Sequence, residues 1–578
     1  MNEYVQGHKY IWKVPAYHQQ TVQELAAHYN LSFPIAQTLI NRGFTDKQAL
    51  EKYLFTHNQD IAHTELMQDA TKAVDRIKYA IDNQEPILIF GDYDVDGITS
   101  SSLMMISLLP LGAKVNFFLP HRVKDGYGLS TKIVERAARN GYKVIITVDN
   151  GITAFEPAQR AKELGIDLII TDHHKPHAHL PDAFAVVDPH RTDCAYPFKQ
   201  FAGVGVSFKI LTYLYEKYGK TLPPKAYELL LFGTIADVVP LTDENRFWVR
   251  YGLAYVNQYE SYSLQVLKKN SKLDKPVISA TDIGFSVTPQ INALGRLEDA
   301  RQGVNFLIGV NRGQVEEVGR LLAELNEKRK EIERSIVLQI QQEITTGVID
   351  ITKDTVIIAS HHKWPPGVIG LVASRLVGLY GLPTILFHST GDGMLKGSCR
   401  SIPEFNMFEA LQSAQHLITQ FGGHAMAAGL SLPLKNLPAL KEHLQERITQ
   451  QLTPFDLQQK IRLDAHVTFS DLSKKLVSDL GHLEPFGNQN ECPVFYIERV
   501  TLLQKPQLLK DAHVKCSFFA DGIIKPVIFF NRPELYDWMV AHQNGTFSLA
   551  ARVGENHWQG KVSIELIGAD IALCQEAV

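Results

Sequence analysis

Short apolar segments alternate with amphipathic segments from about residue 71 to residue 171 of this 578-residue chain. The apolar segments lack the polar alternation of a half-exposed strand and lie at 87–90, 115–119, 144–148 and 168–171. The amphipathic segments have helical periodicity and lie at 73–81, 101–109, 131–140 and 156–164. Strands that are apolar on both sides must be covered on both faces, so this rhythm predicts a parallel sheet between layers of helices.

Polar residues cluster where these predicted strands end. Residues 90–97 read Phe-Gly-Asp-Tyr-Asp-Val-Asp-Gly and form a predicted strand-to-helix loop that carries three carboxylates. Ligands of parallel sheets bind outside the carboxyl ends of the strands, so we expect the polar side chains there to share one crevice. The candidates are Asp92, Asp94, Asp96, Asp149, Asp172, His173, His174 and, after the apolar stretch 229–236, Asp237.

Each of these motifs is weak by itself, because a single Asp-x-Asp loop is more often a capped or solvated turn than a metal site. Their joint placement at successive strand ends favours a metal site, since crowded like charges repel unless a cation neutralises them. Carboxylates with one or two imidazoles and no thiolate favour Mn²⁺ or Mg²⁺. Two such ions, about 3.5–4 Å apart and sharing one carboxylate, would support phosphoester hydrolysis.

Bulk composition places few limits on the function. The formal charge of −4 gives no global signal for nucleic acid or membrane, so a polyanion must be met by local patches or metal. The five cysteines are scattered and never form a Cys-x-x-Cys motif, which argues against a disulfide framework or zinc ribbon. Without a signal-peptide pattern or a long apolar span, we expect a cytoplasmic protein that does not contact the membrane.

The second half of the chain has three further patterns. A long helical pattern covers 313–344, and its charges at 327–334 alternate in sign, which fits pairing within the helix. A second α/β unit begins at 355–359 and contains glycine-rich turns near 367–370, 397–401 and 422–429. From about residue 456 apolar and polar residues alternate with the period of two that is typical of β-strands. Five or six strands of this kind suit an OB-like barrel.

In this order, the motifs resemble the DHH phosphoesterase superfamily, which is named for Asp172, His173 and His174 as they stand here. Within it the chain resembles the RecJ family of single-stranded-DNA-specific exonucleases. Further matching signatures are Pro-His-Arg at 120–122, Asp-Gly-Tyr-Gly-Leu at 125–129 and the segment 289–297. The turn 484–491 departs from the family, with Gln489 and Glu491 in place of its usual glycine and proline.

The resemblance implies an α/β multidomain protein with a C-terminal β-barrel. The implied domains are an N-terminal helical extension at 1–70, a parallel-sheet DHH catalytic domain at 71–305, a connecting helix at 306–348, a smaller α/β DHHA1 substrate-binding domain at 349–455 and an OB-fold nucleic-acid-binding domain at 456–578. In the barrel, aromatic stacking and nearby lysines would bind single strands. Phe518, Phe519, Phe529 and Phe530 are candidates, although only alternate residues can face outward.

The resemblance also implies roles for individual residues. Asp94 and Asp149 would bind one ion, whereas Asp96, Asp149, His173 and Asp237 would bind the other. His174 would contact the scissile phosphate or assist the leaving group, and Asp92 would be a ligand or would orient one. Phosphatase members of the superfamily have a histidine where this chain has Phe90. The implied substrate contacts are Arg122, Arg296 and a terminal-phosphate pocket of Ser398, Arg400, Gly422, Gly423 and His424.

The function that follows from the resemblance is a 5′→3′ exonuclease on single-stranded DNA, which acts in repair and recombination and releases 5′-mononucleotides. The 5′ end would be held between the two α/β domains. Its expected partners are single-stranded DNA, a single-strand-binding protein and a helicase, and we expect a monomer. One alternative is a phosphodiesterase for dinucleotides or short oligonucleotides, which would not need the barrel and connector. The other is a non-catalytic scaffold, which would not need intact metal ligands.

Overall fold

The computed structural model describes residues 3–121, 125–126, 128–309, 311–558 and 561–574. The chain divides into two compact units. Unit 1 comprises Met1–Leu54, Ile332–Glu484 and Cys492–Val578, and unit 2 comprises Phe55–Glu331 and Pro485–Glu491. Each unit is therefore built from segments that are far apart in sequence.

The N-terminal segment begins with strands rather than with the expected helix. Strands β1 (Tyr4–Gln6) and β2 (Ile11–Lys13) form a hairpin, and β2 also pairs in parallel with residues 460–462. Three helices follow: α1 (Gln19–Tyr29), α2 (Phe33–Asn41) and α3 (Lys47–Phe55). The two short strands depend on a partner more than 400 residues away, which local sequence patterns do not reveal.

A buried carboxylate anchors this hairpin within unit 1. Asp570 accepts hydrogen bonds from the Tyr10 backbone N–H and from the Trp12 indole, each at 3.0 Å. Trp12 is fully buried and packs against Tyr496 and Ala550. The N-terminal hairpin is therefore part of the C-terminal core of unit 1.

Unit 2 begins with the parallel sheet. Helix α4 (Ala70–Asp82) precedes strand β3 (Ile87–Gly91), and the chain continues through α5 (Val95–Leu108), β4 (Val115–Phe118), α6 (Thr131–Arg139), β5 (Val144–Val148), α7 (Phe155–Glu163), β6 (Asp167–Thr171) and β7 (Ala185–Val187). The strand order is β4-β3-β5-β6-β7, and every pairing is parallel. The predicted sheet is confirmed.

Both faces of this sheet are buried. Ile87 and Ile89 of β3 belong to one apolar core, whereas Leu88 and Phe90 belong to the core on the opposite face. The first core is completed by helices that follow the sheet, namely α8 (Gly203–Lys217), α9 (Lys225–Ala236), α10 (Asp243–Gln258), α11 (Tyr262–Asn270), α12 (Ala280–Asp282), α13 (Thr288–Leu297) and α14 (Arg301–Ile308). This two-sided burial explains why the strands lack polar alternation.

The long helix α15 (Arg312–Thr345) matches the predicted 313–344 closely, and the division between the units falls within it, after Glu331. A second α/β layer follows in unit 1: β8 (Ile357–His361), α16 (Pro366–Tyr380), β9 (Thr384–Ser389), β10 (Met394–Arg400), α17 (Met407–Ser413), β11 (Gln420–Gly423), β12 (Ala427–Pro433) and α18 (Leu437–Gln451). Its sheet order is β11-β12-β10-β9-β8.

The C-terminal segment forms a barrel. Strand β13 (Lys460–Arg462) precedes it and belongs to a separate sheet with β1 and β2. The barrel and its helices comprise β14 (Ala465–His466), α19 (Lys474–Leu480), β15 (Phe495–Leu502), β16 (Gln507–Leu509), β17 (His513–Ala520), β18 (Ile523–Phe529), α20 (Glu534–Ala541), β19 (Thr546–Trp558) and β20 (Lys561–Leu573). A pairing of β15 with β17 closes the sheet. Phe518 and Phe529 are buried inside, whereas Phe519 and Phe530 are exposed. Among the described residues, no helix combines the length and apolar character needed to cross a bilayer.

Candidate metal centre

Three strand ends lie side by side at one edge of the unit 2 sheet. Gly91 of β3 and Thr171 of β6 are both paired with Val148, the last residue of β5. The polar residues that follow these strands therefore emerge together, as the sequence predicts.

The first group of carboxylates spans a loop and a helix. Asp94 caps α5, where its Oδ1 accepts a hydrogen bond from the Gly97 N–H at 3.1 Å. Asp96 then lies in the first turn of α5 and not in the predicted loop, which is limited to residues 92–94. The helix turns Asp96 inward, where it is almost completely buried.

Asp96 lies against the beginning of α8. Its Oδ2 and Oδ1 accept hydrogen bonds from the Gly203 and Val204 backbone N–H groups, at 2.6 and 2.8 Å. These N–H groups have no partner inside their own helix, and the helix dipole favours a negative charge there. The Asp96 carboxylate is thus held rigidly without the use of a cationic side chain.

Asp149 occupies the centre of the site with a backbone φ of +61°. Its N–H donates to the Thr171 carbonyl at 3.1 Å, and its Oδ1 lies 3.1 Å from His173 Nε2. Aspartate is among the few residues that tolerate this left-handed conformation. A Cβ on Gly203 would lie only 2.5 Å from the Asp149 Cβ, so a glycine is required where α8 begins.

Asp172 orients His174 rather than joining the ligand cluster. Its Oδ1 accepts a hydrogen bond from His174 Nδ1 at 2.7 Å, and its Oδ2 accepts one from the Ile152 N–H at 2.8 Å. Burial disfavours the charged His174 imidazole, but the hydrogen bond and charge of Asp172 outweigh it and raise the pKa to about 9. This shift favours the protonated imidazole, which can donate to a phosphate oxygen. The sequence motif points to Asp172 but does not indicate this orienting role.

Asp237 reaches the site from a helix end and not from a strand. It follows α9, and its Oδ2 lies 3.7 Å from His173 Nε2. Helix α9 lies so close to α5 that a Cβ on Gly233 would be 2.4 Å from Thr99 Oγ1 and 3.0 Å from Asp96 Oδ1. That contact between helices brings Asp237 to the cluster.

The candidate ligand atoms form three groups, and within each group all of them lie within 4.8 Å of one another. The groups are Asp92, Asp94 and Asp149; Asp96, His173 and Asp237; and Asp149, His173 and His174. The first two groups correspond to the two ion sites that the resemblance implies. The structure thus brings together all six expected metal ligands and His174.

The electrostatics of this cluster favour bound cations. Burial, followed by repulsion from Asp96 and Asp94, raises the pKa of Asp149 well above its usual value. Burial and the charge of Asp94 raise the pKa of Asp96 to about 7, despite the two backbone hydrogen bonds. Burial lowers the pKa of His173 to about 3, so this imidazole is neutral and can serve as a ligand. A set of carboxylate oxygens with one neutral imidazole fits Mn²⁺ or Mg²⁺.

Helix α13 contacts the first carboxylate loop. A Cβ on Gly295 would lie 2.0 Å from the Tyr93 carbonyl oxygen, so this glycine allows the helix to touch the loop. Arg296, an expected substrate contact, is the next residue of that helix and is half-buried. Arg122 lies outside the described residues.

The expected phosphate pocket lies in unit 1 at one end of the second sheet. Ser398 on β10 is paired with Gly429 on β12, which is paired with Gly422 on β11. Arg400 Nη1 donates to Ser398 Oγ at 3.2 Å, and Arg400 is paired with Ala427, whose carbonyl accepts the His424 N–H at 2.8 Å. The residues brought together are Ser398, Arg400, Gly422, Gly423 and His424.

Sequence comparisons agree with this architecture. Models of the DHH family N-terminal domain, the DHHA1 domain and the RecJ OB domain match residues 86–234, 353–450 and 463–570. These ranges lie inside the expected domains, whose boundaries remain predictions. The fold and the carboxylate cluster thus define a multidomain member of the DHH phosphoesterases.

More specific relatives narrow this class. The chain is 34% identical to the single-stranded-DNA-specific exonuclease RecJ of Bacillus subtilis, over 98% of this chain and 71% of the relative. The chain is 32% identical to the RecJ of Escherichia coli, over 91% of this chain and 93% of the relative. The crystal structure of Thermus thermophilus RecJ with Mn²⁺ matches with a TM-score of 0.82 and 25% identity, over 98% of this chain and 80% of the other. The chain belongs to the RecJ family.

Proposed function

We propose that this protein is a divalent-metal-dependent exonuclease that degrades single-stranded DNA from its 5′ end and releases 5′-mononucleotides. The observation that carries the proposal is the cluster, part buried and part half-buried, in which four carboxylates and His173 lie around Asp149. Its RecJ relatives are described as single-stranded-DNA-specific exonucleases, and one of them, the Thermus thermophilus RecJ, has been solved in complex with Mn²⁺ and with Mg²⁺.

The cluster divides naturally into two ion sites. Asp92, Asp94 and Asp149 would hold one ion, while Asp96, Asp149, His173 and Asp237 would hold the other. Bound Mn²⁺ or Mg²⁺ would lower the pKa of a water molecule and stabilise negative charge that develops on the phosphate oxygens. Asp149 would contribute to both sites.

Residues outside the cluster would act on the substrate. His174, kept protonated by Asp172, would donate a hydrogen bond to the scissile phosphate or a proton to the leaving oxygen. Arg400 and Ser398, with the N–H groups around Gly422 and Gly423, would bind a terminal phosphate. Arg296 and Arg122 would contact phosphates of the strand.

The barrel would bind the single strand away from the reacting phosphate. Phe519 and Phe530 face outward and could stack on bases, whereas Phe518 and Phe529 support the core. A dinucleotide phosphodiesterase would have no use for such a barrel, and a scaffold would have no use for a complete ligand cluster. We therefore favour the nuclease over both alternatives.

We further propose that the protein acts in DNA repair and recombination, as a monomer in the cytoplasm, with a single-strand-binding protein and a helicase as partners. The cytoplasmic location is supported by the five cysteines, which are all free.

The decisive experiment uses oligonucleotides labelled at the 5′ or the 3′ end, single-stranded or duplex, DNA or RNA, with Mn²⁺ or Mg²⁺. We expect a labelled mononucleotide to be released first from 5′-labelled single-stranded DNA. Mononucleotide release from the 3′ end, or equal attack on duplex DNA, would contradict the proposal.

A further inference from the structure

The residue that follows Asp237 has an unfavourable backbone conformation. Val238 has a φ of +59°, a region that β-branched residues almost never occupy. The residue is 63% exposed, so packing in the core does not hold it there. Its N–H donates to the Ile235 carbonyl at 3.3 Å, as is usual for a left-handed residue after a helix, but that position ordinarily holds glycine or asparagine. A further contact is therefore needed to hold a valine there, beside a candidate metal ligand.

A seven-residue turn, residues 485–491, supplies such a contact. Residues 485–491 belong to unit 2, although the chain on either side of them belongs to unit 1. Asn488 Nδ2 donates a hydrogen bond to the Val238 carbonyl at 2.7 Å, and the Asn488 carbonyl accepts one from the Leu241 N–H at 2.8 Å. Asn488 thus binds the segment after Asp237 at two points.

The turn 485–491 is itself held rigidly by internal hydrogen bonds. The backbones of Gly487 and Asn490 exchange two hydrogen bonds of 3.0 Å, and Asn490 Nδ2 donates to the Pro485 carbonyl at 2.8 Å. A Cβ on Gly487 would lie 2.6 Å from Leu241 Cδ1, so the turn is packed tightly against the segment that it holds. Gln489 has a φ of +58°, which accounts for the glycine that the family usually has there.

The backbone of Asp237 is consequently fixed on both sides. On the N-terminal side, its N–H donates to the Gly233 carbonyl at 2.9 Å at the end of α9. On the C-terminal side, the path of the chain is set by Val238, whose carbonyl accepts from Asn488. The Asp237 carboxylate is thereby directed towards His173 and Asp96.

We propose that Asn488 is a positioning residue for metal binding, because it holds Val238 in the conformation that directs Asp237 into the ion site. The inference rests on the proposed function insofar as Asp237 is taken to be a ligand. It assigns a role in metal binding to a turn that lies about 250 residues away from Asp237 in sequence.

The test is Mn²⁺ titration of the full-length protein without DNA, by calorimetry. Asn488→Ala removes the side-chain hydrogen bond and leaves the backbone contact to Leu241. We expect Mn²⁺ to bind about three- to tenfold more weakly, the effect of losing one such hydrogen bond. In steady-state assays at fixed Mn²⁺, kcat should fall while KM for single-stranded DNA stays within about twofold, because the strand contacts are elsewhere.

A rescue experiment separates positioning from a general structural effect. Glycine adopts positive φ without steric cost, so Val238→Gly removes the need for the Asn488 contact. The double variant Asn488→Ala/Val238→Gly should regain most of the Mn²⁺ affinity. Gln489→Ala, the same truncation at an exposed neighbour in the turn, should bind Mn²⁺ as the wild type does.

The outcomes distinguish this inference from the proposed function. If Asp237→Asn loses Mn²⁺ affinity but Asn488→Ala retains it, or if Val238→Gly does not rescue, Asn488 has no positioning role and the metal site stands. If Asp237→Asn retains full Mn²⁺ affinity, Asp237 is not a ligand and both assignments are wrong.

Discussion

Asp149→Asn should stabilise the metal-free protein while it abolishes activity. Asparagine has the same shape as aspartate and tolerates the φ of +61° at this position. The change therefore removes one negative charge from the centre of the cluster with little steric effect. The charge is costly without metal, because burial and repulsion from Asp96 and Asp94 raise the pKa of Asp149 well above its usual value.

The size of the effect follows from the spacing of the carboxylates. Two unit charges 4.8 Å apart, the limit within the group of Asp92, Asp94 and Asp149, repel by about 3.5 kcal/mol at an effective dielectric constant of ~20. Partial protonation of the cluster relieves some of this repulsion, so we expect a gain of about 2–3 kcal/mol above neutral pH. Asp149 belongs to unit 2, and for a folding unit of that size the gain corresponds to a Tm about 5 °C higher.

Whether Asp149→Asn stabilises or destabilises the folded protein depends on pH and on bound metal. A carboxyl group whose pKa is raised by folding destabilises the folded state at every pH above the pKa that it has in the unfolded chain, so the gain should disappear in strong acid. With saturating Mn²⁺ the order of the two Tm values should reverse, because the wild type gains about 4 kcal/mol at a thousandfold excess over Kd and the variant gains much less.

Thermal unfolding at about pH 8, with EDTA and then with Mn²⁺, measures both effects. Asp182→Asn is the matched control, since Asp182 is an exposed carboxylate of the same unit, paired with Lys162. Asp182→Asn should change neither the Tm in EDTA nor the Tm with Mn²⁺. A lower Tm for Asp149→Asn in EDTA would refute the repulsion reasoning, and an equal rise with Mn²⁺ in variant and wild type would remove Asp149 from the ligand set.

Three further predictions concern individual residues. Gly203→Ala places a Cβ 2.5 Å from the Asp149 Cβ, so Mn²⁺ affinity should fall at least tenfold, by calorimetry. The Asp96 pKa, about 7 against an ordinary 3.8, means that ionisation opposes folding of the metal-free protein from about pH 4 upward and fully above pH 7. Protons compete with metal, so the Tm increase caused by Mn²⁺ should be smaller at about pH 5.5 than at about pH 8; equal increases would contradict this. Arg400→Ala should weaken the preference for 5′-phosphorylated over 5′-hydroxyl ends, measured as a ratio of kcat/KM; an unchanged ratio would exclude Arg400 from the pocket.

The central sheet and the positions of most candidate ligands could be predicted because their signals are local. Parallel strands in neighbouring positions end at one edge, so Asp149 and His173 could be placed together from the positions of two apolar runs. Asp237 was harder to predict from its residues alone, because it follows a helix, and its contact with His173 depends on how α9 packs against α5. Only the family resemblance gave its role.

Features that depend on distant pairing could not be predicted. Strand β2 exists because it pairs with β13, and the hairpin is fixed by Asp570 at the other end of the chain. The requirement for glycine at position 203 appears only once α8 lies against Asp149. Helical periodicity alone cannot indicate which glycine of a helix is needed for a close contact.

Backbone strain at the metal centre also needs a tertiary explanation, and it differs between two of its residues. Asp149 and Val238 both have positive φ, but aspartate tolerates this region and valine does not. Asp149 is held by strand neighbours, through its N–H to Thr171, and needs no further support. Val238 lies just beyond the end of α9, where its N–H donates to the Ile235 carbonyl at 3.3 Å, and it is exposed, so core packing does not add to this local bond. The hydrogen bond from Asn488 to the Val238 carbonyl supplies a contact of this kind from a distant part of the chain.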